Sequence, residues 1–272
     1  ITQYIGYDTP KAADNLKLDI NAETGDANLT WDAVTAGVNN GFIGDIKYDV
    51  VRYPGETVVA KGITATSATD KLNTRDLTAY AYGVKAYNDK KTGAEARTDY
   101  KLYGDPITPP YAEGFDSEDA MAYFTVINNN DDKSTWTYYQ SSDGSGEVRY
   151  TYNSKNGGDD WLITPPLKVE KGKIYTVKFK AKSYLSSYLE KLEVKYGSTN
   201  TVEGMKNVMM EQTDLPGSEF TEYTKEITAS EDGTLYIGFH ALSDPDMFYL
   251  QLDDISVGAG MSTTAPDAVS EL

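Results

Sequence analysis

The sequence predicts an all-β protein built from two β-sandwiches, and three observations lead to this fold class. Tyrosine is abundant, with 22 residues among 272, and such side chains favour strands. Short runs that alternate apolar and polar residues recur about every ten residues, with turn residues between them. Helical periodicity is nearly absent: only residues 205–212 (MKNVMMEQ) are expected as a short helix or an irregular connection. The length is sufficient for two separate cores.

The first unit is predicted over residues 10–104, after an N-terminal extension over residues 1–9. Alternating runs lie at 26–34 (DANLTWDAV), 47–53 (KYDVVRY) and 77–88 (LTAYAYGVKAYN). Strands at this spacing, separated by turn-rich stretches, are typical of an antiparallel sandwich.

The second unit is predicted over residues 111–259, after a Pro-rich linker at 105–110 whose prolines keep the chain extended. Within 174–181 (IYTVKFKA), Lys178 and Lys180 mark the solvent face of a strand. Eight or more strand-like runs in this unit predict a jelly roll, which is two packed antiparallel sheets.

Residues 260–272 are expected to be a linker and the start of a further module. Residues 266–272 (PDAVSEL) share the pattern P-x-A-[AV]-x-x-L with residues 10–16 (PKAADNL). The chain is therefore expected to be part of a longer array, with further domains of the same chain as neighbours.

Composition excludes several classes of function. The formal charge of −17 argues against nucleic-acid binding, and no apolar window is long enough to span a membrane. Without cysteine there are no disulfides, thiolate zinc sites or cysteine nucleophiles. The single histidine, His240, is expected to point outward from its strand together with Tyr236. We therefore expect a non-catalytic protein, although the 42 acidic residues leave carboxylate-pair chemistry open.

Three acidic clusters are candidates for a calcium site, because calcium prefers six to eight oxygen ligands. They lie at 113–119 (EGFDSED), 127–136 (INNNDDKSTW) and 252–255 (LDDI). The residues at alternate positions of the second cluster resemble a calcium loop: Asn128, Asn130 and Asp132. It is not an EF-hand, because Lys133 and Tyr139 stand where Gly and Glu are required.

Paired aspartates interrupt the strand 249–257 (YLQLDDISV). Its apolar residues change face between Leu252 and Ile255, which predicts a β-bulge at Asp253 and Asp254. A bulge can turn one of the two carboxylates inward, leaving the other as a surface charge.

The first unit resembles a fibronectin type III domain, which is an immunoglobulin-like sandwich. The resemblance rests on Pro10, the Leu29-x-Trp31 strand, the Tyr48-x-Val50 strand and a late strand with Tyr80, Val84, Ala86 and Asn88 after Leu72. It implies that Trp31 lies in the core and that Tyr80 is the corner tyrosine.

The second unit resembles the cleaved-adhesin (gingipain haemagglutinin-like, choice-of-anchor type) jelly-roll domains of Bacteroidetes surface proteins. The matching elements are residues 114–116 (GFD), 127–136, 159–166 (DDWLITPP) and 252–255. The resemblance implies a structural calcium ion held by Asp116 and Asp253. The D-x-D-x-D loop of the family is Asn128-x-Asn130-x-Asp132 here, which should weaken a cation at that loop.

The leading expectation is a calcium-stabilised, non-catalytic adhesin-like fragment at the outer cell surface or outside the cell, which binds a host protein or glycan. The alternative is a carbohydrate-binding accessory module of a polysaccharide-degrading enzyme, which a surface patch of aromatic side chains would favour. A hydrolase that uses two carboxylates in a deep cleft is the third hypothesis. Trp161 is ambiguous: it is core if it alternates with Ile163, and a stacking platform for sugars if it is exposed. The same two interpretations, packing or sugar stacking, apply to the Tyr-rich segments 136–140 (WTYYQ), 148–153 (VRYTYN) and 182–191 (KSYLSSYLEK).

Overall fold

The computed structural model describes residues 6–142 and 144–262 and divides the chain into two compact units, Ile1–Asp105 and Pro106–Leu272. Both units are antiparallel β-structures, so the predicted all-β fold class is confirmed. No helix in these described residues has the length and apolarity needed to cross a membrane. The repeated pattern at 266–272 lies outside the described residues, as do residues 1–5 of the predicted extension.

The first unit is a sandwich of two antiparallel sheets. One sheet has the order β1-β2-β5, and the other has the order β4-β3-β6-β7 with β8 paired to β6. Trp31 and Tyr48 are buried between the sheets, with ring centroids 5.4 Å apart. The strands are β1 (Lys17–Ile20), β2 (Asp26–Thr30), β3 (Lys47–Tyr53), β4 (Thr57–Ile63), β5 (Ser67–Lys71), β6 (Thr78–Tyr87), β7 (Thr92–Arg97) and β8 (Lys101–Tyr103).

Asp8, which the sequence placed in the extension, is buried in the first unit. Its carboxylate accepts hydrogen bonds from the backbone N–H groups of Thr9, Asn39 and Gly41 and from the Asn39 side-chain amide, at 2.8–2.9 Å. Burial alone would raise the pKa of Asp8, but the hydrogen bonds from Gly41, Asn39 and Thr9 outweigh it and lower the pKa to about 2.

We expect acid to loosen this segment. A carboxyl group with a lowered pKa stabilises the fold above its unfolded pKa near 4, and this contribution is lost as the pH falls towards 2. Hydrogen exchange of the Gly41 amide should therefore accelerate from pH 4 to pH 2, after correction for intrinsic exchange rates. In Asp8→Asn the exchange should be fast already at pH 6, whereas the exposed control Asp19→Asn should behave like the wild type. Protection that is unchanged in Asp8→Asn would contradict this role.

The second unit is a larger two-sheet sandwich, as predicted. One sheet has the order β10-β13-β19-β16-β17 with β14 paired to β19, and the other has the order β11-β12-β20-β15-β18 with β9 paired to β20 and β21 to β15. The strands are β9 (Tyr111–Glu113), β10 (Thr125–Asn128), β11 (Trp136–Gln140), β12 (Gly146–Thr151), β13 (Asp160–Ile163), β14 (Leu167–Val169), β15 (Lys173–Ser183), β16 (Lys191–Gly197), β17 (Asn207–Asp214), β18 (Thr221–Thr228), β19 (Gly233–Ala241), β20 (Tyr249–Val257) and β21 (Met261–Ser262). Short 3-10 helices lie at Glu118–Tyr123 and Val202–Gly204.

Alternating side chains from both sheets fill the core of the second unit. On β15, Val177, Phe179 and Ala181 are fully buried, while Lys178 between them is exposed, as the alternation predicted. Most of the predicted linker belongs to this unit, because the Ile107 N–H donates to the Pro166 carbonyl oxygen at 2.8 Å, whereas Asp105 belongs to the first unit.

The face of β13 opposite the main core is also buried. Trp161 and Ile163 form a small separate cluster with Met205, and Trp161 is only 3% exposed. Trp161 is therefore a packing residue and not a stacking platform. The short helix or irregular connection expected over 205–212 is wrong. Most of these residues belong to β17, which pairs with β16, and Met205 before it packs in this cluster.

Candidate binding face and predicted cation sites

The bulge predicted in β20 is confirmed. The register between β15 and β20 shifts between Lys178 and Lys180, and Asp254 adopts a left-handed backbone with φ of 49°. Asp254 is exposed and pairs with Lys180 (Nζ to Oδ2, 2.7 Å), whereas Asp253 is half-buried. The two aspartates therefore have different surroundings, although they are adjacent in sequence.

Asp253 lies in a negative environment. Burial, followed by the negative charges of Asp254 and Glu147, raises its pKa to about 6. Among the described residues Asp253 forms no ion pair, because the nearby Lys180 pairs with Asp254 instead. A cation beside Asp253 would offset this unbalanced charge, so the residue fits a cation ligand.

Asp116 lies near this region but is exposed. Strand β9 pairs with β20 (Glu113 opposite Ile255), which brings the segment that follows β9 next to the bulge. Phe115 turns the chain with a φ of 49°, and its N–H donates to the Glu113 side chain at 2.7 Å. In the described part of the chain, no three or more acidic or histidine side chains are grouped so as to hold a metal ion. The Asp116–Asp253 pair therefore stays a prediction.

The loop with Asn128, Asn130 and Asp132 is held together by its own amide groups. The Asn128 amide donates to the carbonyl oxygens of Asp132 (2.5 Å) and Ser134 (3.1 Å), and the Asn130 amide donates to the Gly157 carbonyl oxygen at 2.9 Å. Oxygens that could face a cation thus already accept hydrogen bonds. A cation at this loop also stays a prediction.

His240, the only imidazole of the chain, is also fully engaged. It stacks on Trp161 with ring centroids 4.1 Å apart, and its Nε2 lies 2.9 Å from Asp159 Oδ1. Its Nδ1 lies 3.2 Å from Glu193 Oε2. This histidine therefore stabilises the outer side of its sheet. The alternation of residues along its strand predicted that it would lie on this side.

An accessible group of aromatic side chains lies at one end of the other sheet, and we call it the aromatic patch. Tyr184 contacts Tyr249 and Phe248, with ring centroids 5.4 and 6.2 Å apart. Tyr188 and Tyr152 contact Phe248 at 5.0 and 5.7 Å. The exposed fractions are 44% for Tyr184 and 41% for Tyr188, so the patch is open to solvent. The patch consists of Tyr152, Tyr184, Tyr188, Phe248 and Tyr249.

The backbone at the centre of the patch is strained. Phe248 has a φ of 78°, a conformation that is rare for an aromatic residue and that persists only where the surroundings enforce it. The Tyr152 N–H donates to the Phe248 carbonyl oxygen at 2.9 Å and fixes this geometry. The rings are therefore held in place by the fold.

Polar side chains continue the patch across the sheet. The guanidinium carbon of Arg149 lies 3.3 Å from the centre of the Tyr139 ring and 5.4 Å from that of Tyr249. Arg149 Nε and the Gln251 amide both donate to the Glu147 carboxylate. The Gln251 carbonyl oxygen is buried and has no partner among the described residues. This end of the sheet thus combines ring faces with hydrogen-bonding groups.

A cleft of about 600 Å³ lies elsewhere in the second unit, with Tyr175, Tyr196 and Leu235 among its lining residues. Its acidic side chains, Glu231 and Asp232, are consecutive residues between β18 and β19. The Asp232 carboxylate accepts a hydrogen bond from the Lys171 N–H at 2.7 Å, so it has a structural role there.

Comparison with known proteins gives only distant structural similarity. No family model matches the chain, and no curated protein matches it. The K1 cleaved adhesin domain of Lys-gingipain from Porphyromonas gingivalis W83 is 19% identical with a TM-score of 0.47, covering 56% of this chain and 98% of that domain. The K2 domain of Lys-gingipain is 20% identical with a TM-score of 0.44, covering 55% and 99%.

A xylan-binding domain, CBM22-1 of Xyn10C from Paenibacillus barcinonensis, is 10% identical with a TM-score of 0.40, covering 59% of this chain and 100% of that domain. The cleaved adhesin domains belong to the family that the second unit resembles in sequence. At these identities and TM-scores, the similarity establishes neither a family nor a function for this chain.

Proposed function

We propose that the second unit is a non-catalytic glycan-binding module and that the aromatic patch is its binding surface. The observation that carries this proposal is the aromatic patch, in which Tyr184 and Tyr188 are exposed and Tyr249 lies beside Arg149. Binding sites for small polar ligands typically combine aromatic surface with a few well-placed polar groups. Aromatic faces suit the apolar faces of sugar rings, and the polar groups suit sugar hydroxyls.

The dimensions of the surface also support a glycan. From Tyr139 on β11 to Tyr184 beyond β15, the aromatic and polar side chains cross β12 and β20. Three strand spacings correspond to about 14 Å, which is longer than one sugar ring. Rings that the fold already holds lose little conformational freedom on binding.

A glycan array tests this proposal. The full chain should bind one or more glycans, and the double variant Tyr184→Ala/Tyr188→Ala should lose roughly 5- to 150-fold in affinity, since two ring contacts at about 0.5–1.5 kcal/mol each total about 1–3 kcal/mol. Tyr100→Ala is a matched control, because Tyr100 is 43% exposed but belongs to the first unit. Array silence, or equal affinity of the double variant and the wild type, would refute the proposal.

We further propose that calcium stabilises the second unit at Asp253 and Asp116. The support is the negative environment of Asp253 and the pairing of β9 with β20. A ligand that binds only the folded state raises the melting temperature, so adding EDTA should lower it, and Asp253→Asn should abolish the EDTA effect. Asp244→Asn, at an exposed aspartate paired with Lys191, should keep the effect. A wild-type melting temperature that EDTA leaves unchanged, with no metal by elemental analysis, would contradict calcium binding.

The proposed setting is the outer cell surface or the extracellular space, with the first unit as a fibronectin type III-like neighbour. The strand order of the first unit supports the comparison with fibronectin type III domains: one sheet has three strands, the other has four, and β8 is added to β6. The exposed rings favour a glycan over a host protein as the partner. They suit an adhesin-like display protein and also the alternative, an accessory module of a polysaccharide-degrading enzyme.

A further inference from the structure

Three polar side chains form a row across the middle of the patch-bearing sheet. Arg149 on β12 and Lys182 on β15 both lie opposite Gln251 on β20. These three residues share the outer face, because their sequence neighbours Val148, Leu250 and Leu252 are buried in the core. Arg149 and Lys182 therefore flank Gln251, one strand away on each side.

This row lies directly beside the aromatic patch. Tyr249 precedes Gln251 by two residues and Tyr184 follows Lys182 by two, and the Tyr184 N–H donates to the Tyr249 carbonyl oxygen at 3.0 Å. Two residues along a strand span about 7 Å. A sugar ring stacked on Tyr249 or Tyr184 would thus place a substituent within reach of the row.

The two cations of the row keep free hydrogen-bonding capacity. On the same face, Lys178 and Lys180 pair with Glu222 (3.4 Å) and Asp254 (2.7 Å). Lys182 instead donates to the Ser218 carbonyl oxygen at 3.3 Å, and its Nζ lies 4.4 Å from the centre of the Phe220 ring, towards β18. It has no carboxylate partner in the described part of the chain.

Arg149 uses its Nε for Glu147, and its terminal nitrogens have no hydrogen-bond partner among residues 6–142 and 144–262. The guanidinium is held against Tyr139 by stacking, so its orientation is fixed before any ligand arrives. The side-chain carbonyl oxygen of Gln251 is buried and has no hydrogen-bond partner among the described residues. Such an oxygen destabilises the protein unless a donor binds to it.

From this row we infer that the glycan is acidic, with a carboxylate bound by the terminal nitrogens of Arg149 and a neighbouring hydroxyl donated to Gln251. The charge of Lys182, on the other side of Gln251, adds a weaker attraction. The inference rests on the proposed function and names its ligand class. A guanidinium fork recognises planar carboxylates, and such charge-assisted hydrogen bonds are about twice as strong as neutral ones. The overall charge of −17 repels polyanions at long range, but salt screens this repulsion beyond about 8 Å under physiological conditions. Recognition therefore depends on short-range contacts at the row.

Polysaccharides with and without their carboxyl groups test this inference on the full chain. The probes are polygalacturonate, alginate and hyaluronan, each compared with its carboxyl-reduced counterpart, which keeps the backbone linkages but is neutral. We expect binding to at least one acidic polymer and at least tenfold weaker binding to its reduced form. Equal binding to both forms, or no binding to any of the three acidic polymers, would overturn the inference.

Variants of the row locate the effect. Arg149→Gln should remove most of the preference for the acidic form and Lys182→Gln a smaller part of it. Lys178→Gln should retain the preference, because Lys178 lies outside the row. Unchanged melting temperatures would show that the variants are folded, and a preference unchanged in both row variants would contradict the assignment. If neutral glycans bind and Tyr184→Ala/Tyr188→Ala abolishes that binding, the glycan-binding proposal stands even where the acidic preference fails.

Discussion

Replacing Gly146 by alanine is expected to destabilise the second unit by about 3 kcal/mol, near the upper end of the usual cost of overpacking. A Cβ atom at Gly146 would lie 1.9 Å from the Phe115 carbonyl oxygen and 2.9 Å from the Tyr138 ring. The first of these is a backbone atom and cannot move aside as a side-chain tip can. Strand β12 is also fixed between β11 and β20, so neither partner can give way easily.

Chemical denaturation followed by the fluorescence of Trp136 and Trp161 would measure this loss. Gly114→Ala is the matched control, because its Cβ would meet only the Asp254 side chain at 3.5 Å, an ordinary contact. The control should stay within about 0.5 kcal/mol of the wild type. A Gly146→Ala protein as stable as the control would mean that the chain after β9 does not approach β12 so closely.

Replacing Glu190 by glutamine is expected to stabilise the second unit in neutral and alkaline solution. Glu190 is fully buried, and neither of its carboxylate oxygens has a hydrogen-bond partner at normal distance among the described residues. Burial raises its pKa from 4.5 to about 7, although the nearby Ser243 hydroxyl partly offsets the effect. Because the folded state holds this proton more tightly than the unfolded state, stability is greatest below pH 4.5 and falls as the pH rises to 7. The shift corresponds to about 3 kcal/mol.

The difference in unfolding free energy between Glu190→Gln and the wild type, measured from pH 4.5 to pH 8, isolates this contribution. Other titrating groups act equally on both proteins and cancel. The difference should move by about 3 kcal/mol in favour of the variant across this range. Glu211→Gln, at an exposed position of β17, should show no such trend. A difference that does not change with pH would show that Glu190 ionises freely in the folded protein.

Local sequence patterns predicted the strands well because alternation reports which face of a strand is buried. The β15 lysines and the bulge at Asp253 and Asp254 are examples, since each depends only on neighbouring residues. The error at 205–212 has a tertiary cause. Met205 packs with Trp161 in the small cluster, whereas Met210 on β17 packs in the main core, so the methionines of this segment belong to two separate packing contacts.

The aromatic patch could not be predicted in the same way. Tyr152, Tyr184 and Phe248 come from separate connections between strands, and only the order of β12, β20 and β15 brings them together. The Tyr-rich segments 136–140, 148–153 and 182–191 were candidates for sugar stacking, but the sequence alone did not show which of their rings would meet or that Phe248 would lie among them. The sequence also does not show whether the Asn128 side chain donates or accepts hydrogen bonds in its loop, because an amide can present either its nitrogen or its oxygen.

The pairing of β9 with β20 has a consequence for the two ends of the second unit. Tyr111 at the start of the second unit lies opposite Val257 near its end. Paired residues in an antiparallel ladder are only about 5 Å apart. Strands β9 and β20 therefore bring the two ends of this unit close together, although most of the sandwich lies between them in sequence. Domains whose ends lie close together tolerate circular permutation and insertion into other domains.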